Sequence, residues 1–260
     1  MKEMTEKNIP IMPTEAEFAA AFRTSLALCG LSDIAGSDAA VHDFFRLAEM
    51  LLAFNAHTNV TAITDIPGLI LSHFCDSLTV AAAGVIPEGA RAADIGCGGG
   101  FPTLPLAIVR PDVTFTAIDS TQKKLRFVGS AAAELGLGNV NPLCVRAEDG
   151  AVDPAMRGLF DFVTARAVSA LPMLVELCLP YLKVGGTFCA MKGPRGEEEL
   201  ADSANALRLL GGRTERVEKI TLSLSDSSEP LERMLIIIKK TASTPDKYPR
   251  SYGKIKSRPL

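Results

Sequence analysis

Residues 94–105 read D-I-G-C-G-G-G-F-P-T-L-P and directly follow Ala92 and Ala93. Four of the five residues from 96 to 100 are glycine. Glycine allows positive φ angles and lets the backbone approach a ligand without an intervening Cβ. In an open parallel sheet, ligands bind beyond the carboxyl ends of the strands, where the strand order reverses. The stretch therefore predicts a ligand site directly after the first strand of such a sheet.

Short strands alternate with helices on the carboxyl side of this stretch, which indicates βαβ units and a parallel sheet. We predict strands at 90–95, 113–118, 140–145, 160–165 and 186–191, and helices at 104–109, 121–137, 171–182 and 197–210. Gly138 is expected to close the second of these helices. Two further strands, at 213–222 and 232–238, are joined only by the polar turn S-D-S-S-E-P, which predicts an antiparallel pair at one edge.

The residues before the sheet show helical periodicity without strand-like alternation. Thr14 and Glu17 form a capping-box pattern, and Cys29 and Gly30 mark a helix end. Further helices are expected from Asp38 and over 69–83. The predicted organisation is an N-terminal helical cap at 1–84, a Rossmann-like domain at 85–240 and a basic tail at 241–260.

The chain has no predicted targeting or membrane segment. Its first ten residues, M-K-E-M-T-E-K-N-I-P, lack the apolar stretch of a signal peptide. No apolar run reaches the ~18 to 20 residues that span a bilayer. We therefore expect a cytoplasmic protein with no membrane partner.

Charge is distributed unevenly along the chain, whose formal net charge is −3 at pH 7. Residues 239–260 contain seven basic residues and one acidic residue, so the remainder is strongly acidic. This split favours a polyanionic partner for the tail, although a solvated, disordered end stays open. The six cysteines show no C-x-x-C pair and no histidine spacing that suits zinc. Free, mostly buried thiols and no metal are expected.

The spacing of the glycines narrows the choice of ligand. A dinucleotide fingerprint would read G-x-G-x-x-G and a phosphate loop would need G-K-[ST], and residues 96–102 match neither. Asp94 would repel a phosphate but suits a cationic amino acid moiety. Asp119, which ends the second strand, would accept hydrogen bonds from both ribose hydroxyls of an adenosyl group. Its alternative role is that of a helix cap, which Ser120 would also fill. D-x-G-x-G-x-G with this second acid resembles class I S-adenosylmethionine-dependent methyltransferases.

Further motifs extend the resemblance to one family. These are I-D-S-T-Q-K-K-L-R-F, R-A-E, F-D-F-V-T-A-R-A-V and A-M-K-G, with N-V-T and H-F-C-D-S-L upstream and Y-P-R-S-Y-G-K-I-K-S-R-P-L at the end. Over roughly residues 40–260 the chain resembles the RsmG (GidB) family, which methylates N7 of a guanosine in bacterial 16S ribosomal RNA. The resemblance implies a Rossmann-like, mostly parallel sheet with an antiparallel edge strand and an N-terminal helical extension, with S-adenosylmethionine as cofactor.

The predicted cofactor contacts combine the pattern and the resemblance. They are Asp94, Gly96, Gly98, Phe101, Asp119, Ala147, Glu148 and Arg166. Two residues depart from the family pattern, because Cys97 stands where serine or threonine is common and Thr103 where glycine is common. We expect both departures to change cofactor affinity without abolishing binding.

The chemistry of the acceptor guides the catalytic assignments. Guanine N7 attacks through a free lone pair and loses no proton, so alignment suffices and no general base is required. Arg166 and Lys192 are the predicted catalytic residues. Arg166 would position the cofactor or bond guanine O6, or instead pair with Asp94 or Asp161. Lys192 would meet a phosphate or base, or be solvated.

Other assignments stay open at this point. His73 and Asp76 would border the target base or only anchor the cap. The predicted partner is 16S rRNA or the small ribosomal subunit, bound through the basic tail, with naked RNA of arbitrary sequence bound poorly. The alternatives are a small-molecule or protein methyltransferase and a non-catalytic, S-adenosylmethionine-binding ribosome-assembly factor.

Overall fold

The structure is a computed structural model that describes residues 12–224 and 229–260. Its helices are α1 (Glu15–Leu28), α2 (Ser32–Ala35), α3 (Asp38–Thr58), α4 (Ile66–Leu69), α5 (Asp76–Ala82), α6 (Thr103–Val109), α7 (Gln122–Glu134), α8 (Ala147–Gly150), α9 (Leu171–Cys178), α10 (Gly196–Asp202), α11 (Ala204–Leu210) and α12 (Tyr252–Ser257). Its strands are β1 (Arg91–Ile95), β2 (Thr114–Asp119), β3 (Val140–Cys144), β4 (Phe160–Arg166), β5 (Leu182–Lys192), β6 (Gly212–Leu222) and β7 (Leu231–Lys240).

The seven strands form one sheet in the order β3-β2-β1-β4-β5-β7-β6. Strand β1 pairs in parallel with both β2 and β4, so the strand order reverses beside β1. Strand β7 runs antiparallel to both β5 and β6. The structure confirms the predicted α/β class. The antiparallel strand, β7, lies next to the edge strand β6 rather than at the edge itself. Part of the predicted S-D-S-S-E-P turn, residues 225–228, and the predicted N-terminal segment 1–11 lie outside the described residues.

The N-terminal region is helical, as predicted. The capping box of Thr14 and Glu17 is present at the start of α1, and Cys29 caps its end. Between α4 and α5 the chain continues as a π-helical segment, Ile70–Cys75. Sequence periodicity did not reveal this segment, because over six residues the apolar pattern does not separate an i→i+5 turn from an i→i+4 turn. Such segments are frequent at functional sites, and this one contains His73 and ends beside Asp76.

Two apolar clusters cover the two faces of the sheet. One joins α1, α3, α5, α6 and α7 to one face and contains the ring cluster of Phe18, Phe22, Phe44 and Phe74. The other joins α9, α11 and α12 to the opposite face. The N-terminal helices therefore share a core with the sheet, which brings the π-helical segment to the carboxyl ends of the strands. The domain borders at 84 and 240 stay predictions.

Three predicted helices differ from the structure. The helix predicted at 171–182 ends at Cys178, and strand β5 begins at Leu182. Helix α7 ends at Glu134, and Gly136, with a φ of 66°, follows its cap, so Gly138 plays no part in closing it. The helix predicted at 197–210 is divided at Ser203, whose hydroxyl donates to Glu199 O over 2.6 Å. Within 12–224 and 229–260, no helix combines the length and apolarity that crossing a bilayer demands.

The tail packs against the protein, so the alternative of a solvated, disordered end was wrong. Tyr248 and Ile255 are buried in the second apolar cluster. Lys240 is also buried, and its Nζ donates to Leu210 O over 2.6 Å and to the Thr244 hydroxyl. Burial, with a contribution from a nearby arginine, lowers the pKa of Lys240 to about 7. The exposed basic residues of 241–260 are Lys247, Lys254, Lys256 and Arg258.

Candidate active site

The glycine loop, residues 96–102, leaves the end of β1 and is tied to the neighbouring strand. Gly96 N donates to Ile118 O over 2.8 Å. Gly96 has a φ of 72°, and a Cβ there would lie 2.5 Å from Val168. Gly100 has a φ of 85°, and a Cβ there would lie 2.7 Å from Leu104. These two positions require glycine for both backbone conformation and space.

The loop borders a cavity of about 490 Å³, called here the first cavity. Its wall also includes the end of β2, the segment 145–148, the end of β4, three residues of the N-terminal region and the start of α12. Seven of the eight predicted cofactor residues line it: Gly96, Gly98, Phe101, Asp119, Ala147, Glu148 and Arg166. Asp94 does not. Tyr252 of the tail also lines the cavity, although the sequence had drawn attention only to the basic residues of the tail.

Asp94 is fully buried behind the glycine loop. Its Oδ2 accepts hydrogen bonds from Thr103 Oγ1 over 2.7 Å and from Thr103 N over 3.3 Å. Its Oδ1 is buried and has no hydrogen-bond partner among the described residues. Burial raises the pKa of Asp94 to about 6, against the opposing effect of the bonds from Thr103 and the charge of Arg166. Thr103 thus holds the carboxylate in place.

Asp119 lies at the other side of the loop and bonds the backbone at two points. Its Oδ2 accepts from Gly98 N over 3.0 Å and its Oδ1 from Thr121 N over 2.7 Å. The bond to Thr121, the N-cap residue of α7, shows that Asp119 also braces the helix start. Each carboxylate oxygen has two lone pairs, so both can accept a further bond from a ribose hydroxyl.

The first cavity fits S-adenosylmethionine. Asp119 at its wall would hold the ribose, and the unpartnered Asp94 Oδ1, buried behind the loop, would attract the cationic amino group of the methionine part through its charge. Gly98 lines the cavity, and a Cβ there would meet no atom within 4 Å, so bare backbone faces open space. Ala147 and Glu148 would border the adenine. Cys97 lines the cavity but is only 2% exposed, and burial keeps its thiol pKa well above the usual value.

Arg166 joins β4 to the N-terminal region. Its Nη1 donates to Asp76 Oδ2 over 2.9 Å and to Ser72 O over 2.7 Å. Arg233 of β7 donates from Nε to the other oxygen of Asp76 over 3.1 Å. The ion-pair partners considered from the sequence were wrong, since Asp94 bonds Thr103 and Asp161 pairs with Lys183 at 2.6 Å. Asp76, whose side chain is 3% exposed, instead holds two arginines.

His73 contacts Arg166 and the glycine loop together. Its ring stacks on Phe101 with 4.5 Å between centroids. Arg166 Nη2 lies 3.1 Å from His73 Nδ1, and His73 Nε2 lies 2.8 Å from Thr61 Oγ1. Because arginine can only donate, Nδ1 accepts and Nε2 carries the proton. Burial, followed by the charge of Arg166, lowers the pKa of His73 to about 4. The ring is therefore neutral near pH 7 and both of its nitrogens are engaged.

A second cavity, of about 400 Å³, adjoins the first and shares His73, Arg166 and Ala167 with it. Lys192 lines this second cavity rather than the first. Its Nζ pairs with Glu199 Oε2 at 2.6 Å and donates to Ser169 O over 2.7 Å. The side chain is 9% exposed, so the alternative of a solvated loop lysine was wrong. Asp76, Arg233 and Glu199 complete its charged wall.

Sequence reasoning missed several of these residues. Thr61 lines the first cavity, and Asn55 holds it there: Asn55 Oδ1 accepts from Thr61 N over 2.9 Å, and its Nδ2 donates to Thr61 O over 2.9 Å. The motif N-V-T marked this loop without indicating a role. Arg233 and Glu199 lie in an ordinary strand and an acidic helix start, where no local signal separates them from surface charges.

Metal-binding features are absent from the described residues. No three histidine, cysteine or carboxylate side chains within 12–224 and 229–260 are grouped so as to hold a metal ion. All six cysteines are free thiols, and Cys75, Cys97, Cys178 and Cys189 are buried.

A family model described as rRNA small subunit methyltransferase G, GidB, matches residues 40–226. The chain belongs to the GidB family. It is 45% identical over 231 residues to ribosomal RNA small subunit methyltransferase G of Deinococcus radiodurans, covering 88% of this chain and 90% of that one. It is 42% identical over 224 residues to the protein of the same name from Geobacillus kaustophilus, covering 86% and 92%.

Solved structures support the fold of this GidB-family chain. A methyltransferase candidate from Bacillus halodurans aligns with a TM-score of 0.50 at 16% identity, covering 64% of this chain and 99% of that one. A transferase candidate from Pyrococcus horikoshii also aligns with a TM-score of 0.50, at 14% identity, covering 64% of each chain. At this identity the alignments show the fold alone.

Family membership confirms the resemblance drawn from the motifs. With it, S-adenosylmethionine is confirmed as the cofactor and ribosomal RNA methylation is confirmed over the small-molecule, protein and non-catalytic alternatives. The individual contacts of the predicted cofactor and catalytic residues stay predictions.

Proposed function

We propose that this GidB-family chain methylates N7 of one guanosine in the 16S RNA of the small ribosomal subunit. The single observation that carries the proposal is the pair of adjoining cavities, which share a wall of His73, Arg166 and Ala167. One cavity suits the cofactor and the other has the charged lining that a purine base needs. Methyl transfer requires the two ligands to meet in line, and cavities that share lining residues would place their ligands side by side.

The protein groups at the shared wall support attack by a neutral nitrogen. When bound, S-adenosylmethionine supplies a methyl group activated by its positive sulfur. The N7 lone pair of guanine would form a bond to the methyl carbon while the carbon–sulfur bond breaks and its electron pair stays with the sulfur. No proton leaves the base, so no side chain must accept one. His73 fits this requirement because it is neutral and both its ring nitrogens are hydrogen-bonded.

The protein contributes alignment. Phe101 is held from one side by the stacked ring of His73, with the Arg166 guanidinium 5.7 Å from its centroid. Arg166 is itself fixed by Asp76 and by Ser72 O. A rigid Arg166 at the shared wall would donate to guanine O6, the acceptor next to N7. Lys192 would contact the acceptor nucleotide from the second cavity.

The tail would hold the RNA. Lys254, Lys256 and Arg258 are exposed on and after α12, whose first residue, Tyr252, lines the first cavity. These charges would contact phosphates without reading sequence. Because the chain is acidic elsewhere, a folded subunit should bind better than naked RNA of arbitrary sequence. Such a substrate places the reaction in the cytoplasm.

The test is methylation of small subunits from cells that lack their own version of this enzyme. The purified protein is incubated with these subunits and S-adenosylmethionine carrying a tritiated methyl group, and the RNA is digested to nucleosides. The proposal predicts label in 7-methylguanosine. Label confined to another nucleoside, or to ribosomal protein, would contradict it.

A further inference from the structure

The charged side chains of the second cavity are already paired with one another. Arg166 and Arg233 share Asp76, and Lys192 pairs with Glu199. A phosphate would have to compete with these carboxylates for their cations. A neutral heterocycle with both donors and acceptors on its edges fits the lining without breaking a pair. The lining therefore favours the base of the acceptor nucleotide over its phosphate.

One carboxylate oxygen of Glu199 is available to accept a hydrogen bond from a ligand. Its two hydrogen bonds, from Lys192 Nζ at 2.6 Å and from Leu171 N at 2.7 Å, both engage Oε2. Oε1 has no hydrogen-bond partner within the described part of the chain. Glu199 lines the second cavity and does not line the first. The second cavity thus holds a carboxylate that is fixed through one oxygen and able to accept through the other.

The direction of methyl transfer fixes how guanine must lie. The methyl group arrives from the first cavity, so N7 must face the shared wall that contains Arg166. O6 lies beside N7 on the same edge of the base. N1–H and the 2-amino group lie on the opposite side of the ring, and both are donors. They therefore face away from the shared wall, toward the part of the second cavity to which Glu199 belongs.

We infer that Glu199 is a specificity-determining residue that accepts hydrogen bonds from N1–H and the 2-amino group of the acceptor guanine. This inference rests on the proposed N7 reaction. Arg166 and Glu199 then read two opposite edges of one base. Adenine would turn an amino group toward the donors of Arg166 and an unprotonated N1 toward the carboxylate, so both contacts would become unfavourable. The contacts of Arg166 and Glu199 together make the second cavity selective for guanine over adenine.

Glu199→Gln tests the contact with little change of shape. The amide oxygen can still accept from Leu171 N, while the second acceptor oxygen is replaced by a donor that opposes N1–H. We expect kcat/KM for small-subunit methylation to fall about 10- to 100-fold, because the single free oxygen, Oε1, would no longer be available as an acceptor for the base edge. Affinity for S-adenosylmethionine should stay within about threefold. Glu198→Gln is the matched control, since Glu198 is exposed on the same helix and lines neither cavity; it should leave both quantities unchanged.

A measurement on the unaltered protein guards against misfolding of the variant. Guanosine, inosine and adenosine are compared as inhibitors of small-subunit methylation, inosine being guanosine without the 2-amino group. The inference predicts that guanosine inhibits best, inosine less and adenosine least. Equal inhibition by all three, or none, would contradict it.

The two proposals fail separately. If the unaltered protein forms 7-methylguanosine while Glu199→Gln keeps its activity within about threefold, the role of Glu199 is overturned and the N7 reaction stands. If the unaltered protein labels the subunit but forms no 7-methylguanosine, the proposed function is overturned and the inference with it.

Discussion

Thr103 Oγ1 donates a 2.7 Å hydrogen bond to Asp94 Oδ2, which joins the first residue of α6 to the end of β1 across the glycine loop. Thr103 N donates to the same oxygen. Both bonds use one side of the carboxylate, so Asp94 Oδ1 is directed as an acceptor while remaining buried. The hydroxyl of Thr103 is thus a donor that a residue without a side-chain hydroxyl could not supply.

Cofactor affinity should depend on pH through Asp94. Its pKa of about 6 lies above the ordinary 3.8, so the side chain is charged above pH 6 and protonated below it. A cationic amino group binds the charged form, so affinity for S-adenosylmethionine should fall as pH drops through about 6. Thr103→Val removes a bond that favours the charged form and should move the midpoint upward, whereas Thr103→Ser should not. Calorimetric titration from pH 5 to 8 measures both, and a flat profile would contradict the role of Asp94.

Asp94 should also make the free energy of unfolding depend on pH, in the direction opposite to that of cofactor affinity. A carboxyl whose pKa is raised by folding binds more protons in the folded state, so the free energy of unfolding falls as pH rises from about 4 to 6. Because Thr103 offsets this cost, Thr103→Val should destabilise the protein by about 1 to 2 kcal/mol more at pH 7.5 than at pH 4.5. Urea unfolding at the two pH values is the measurement. An equal loss of stability at both pH values would show that Thr103→Val affects packing alone and would contradict the role of its hydroxyl.

Asp76→Asn should destabilise the protein and impair methylation. The change removes the negative charge between Arg166 and Arg233, and breaking a buried ion pair typically costs about 3 to 5 kcal/mol. Arg166 would also lose its fixed position at the shared wall. Urea unfolding and subunit methylation should both report a loss. Asp33→Asn, at an exposed position, serves as control and should stay within about 0.5 kcal/mol.

The tail should be held to the protein by Arg250. Glu176 is fully buried, and its carboxylate accepts from Arg250 N, Nε and Nη2 at 2.6 to 3.2 Å. Arg250→Ala leaves that carboxylate without its cation and should cost about 3 to 5 kcal/mol. It should also speed proteolytic cleavage within residues 241–260. Arg258→Ala, an exposed arginine of the same segment, should do neither. Equal stability of the two variants would count against a structural tail.

Salt dependence should reveal the phosphate contacts of the tail. Replacing Lys254, Lys256 and Arg258 by glutamine removes three exposed cations without touching the buried Ile255. The slope of log affinity for the small subunit against log salt should become shallower by about 2 to 3, at about 0.7 to 0.9 per contact. Affinity for S-adenosylmethionine should not change. An unaltered slope would place the RNA contacts elsewhere. Deleting the tail would be a poorer test, because it also removes Arg250 and buried apolar residues.

The sequence predicts well what depends on local pattern. Alternating strands and helices, the capping box at Thr14 and the glycine loop each carry a signal within a few residues, and the structure confirms them. The contacts of the site depend instead on segments far apart in the chain. Arg166 pairs with Asp76, 90 residues away, and Arg233 reaches the same carboxylate from 157 residues away. No local spacing specifies such partners, which is why Asp94 and Asp161 were considered instead.

Cleavage at 7-methylguanosine tests the central claim most directly. Small subunits methylated by the protein are stripped to RNA and treated with borohydride and then aniline, which break the chain at that nucleoside. The account predicts one new cleavage site in the 16S RNA, absent when Arg166→Ala replaces the unaltered protein although that variant remains folded. Incorporation of the methyl group without any new cleavage would contradict methylation at N7.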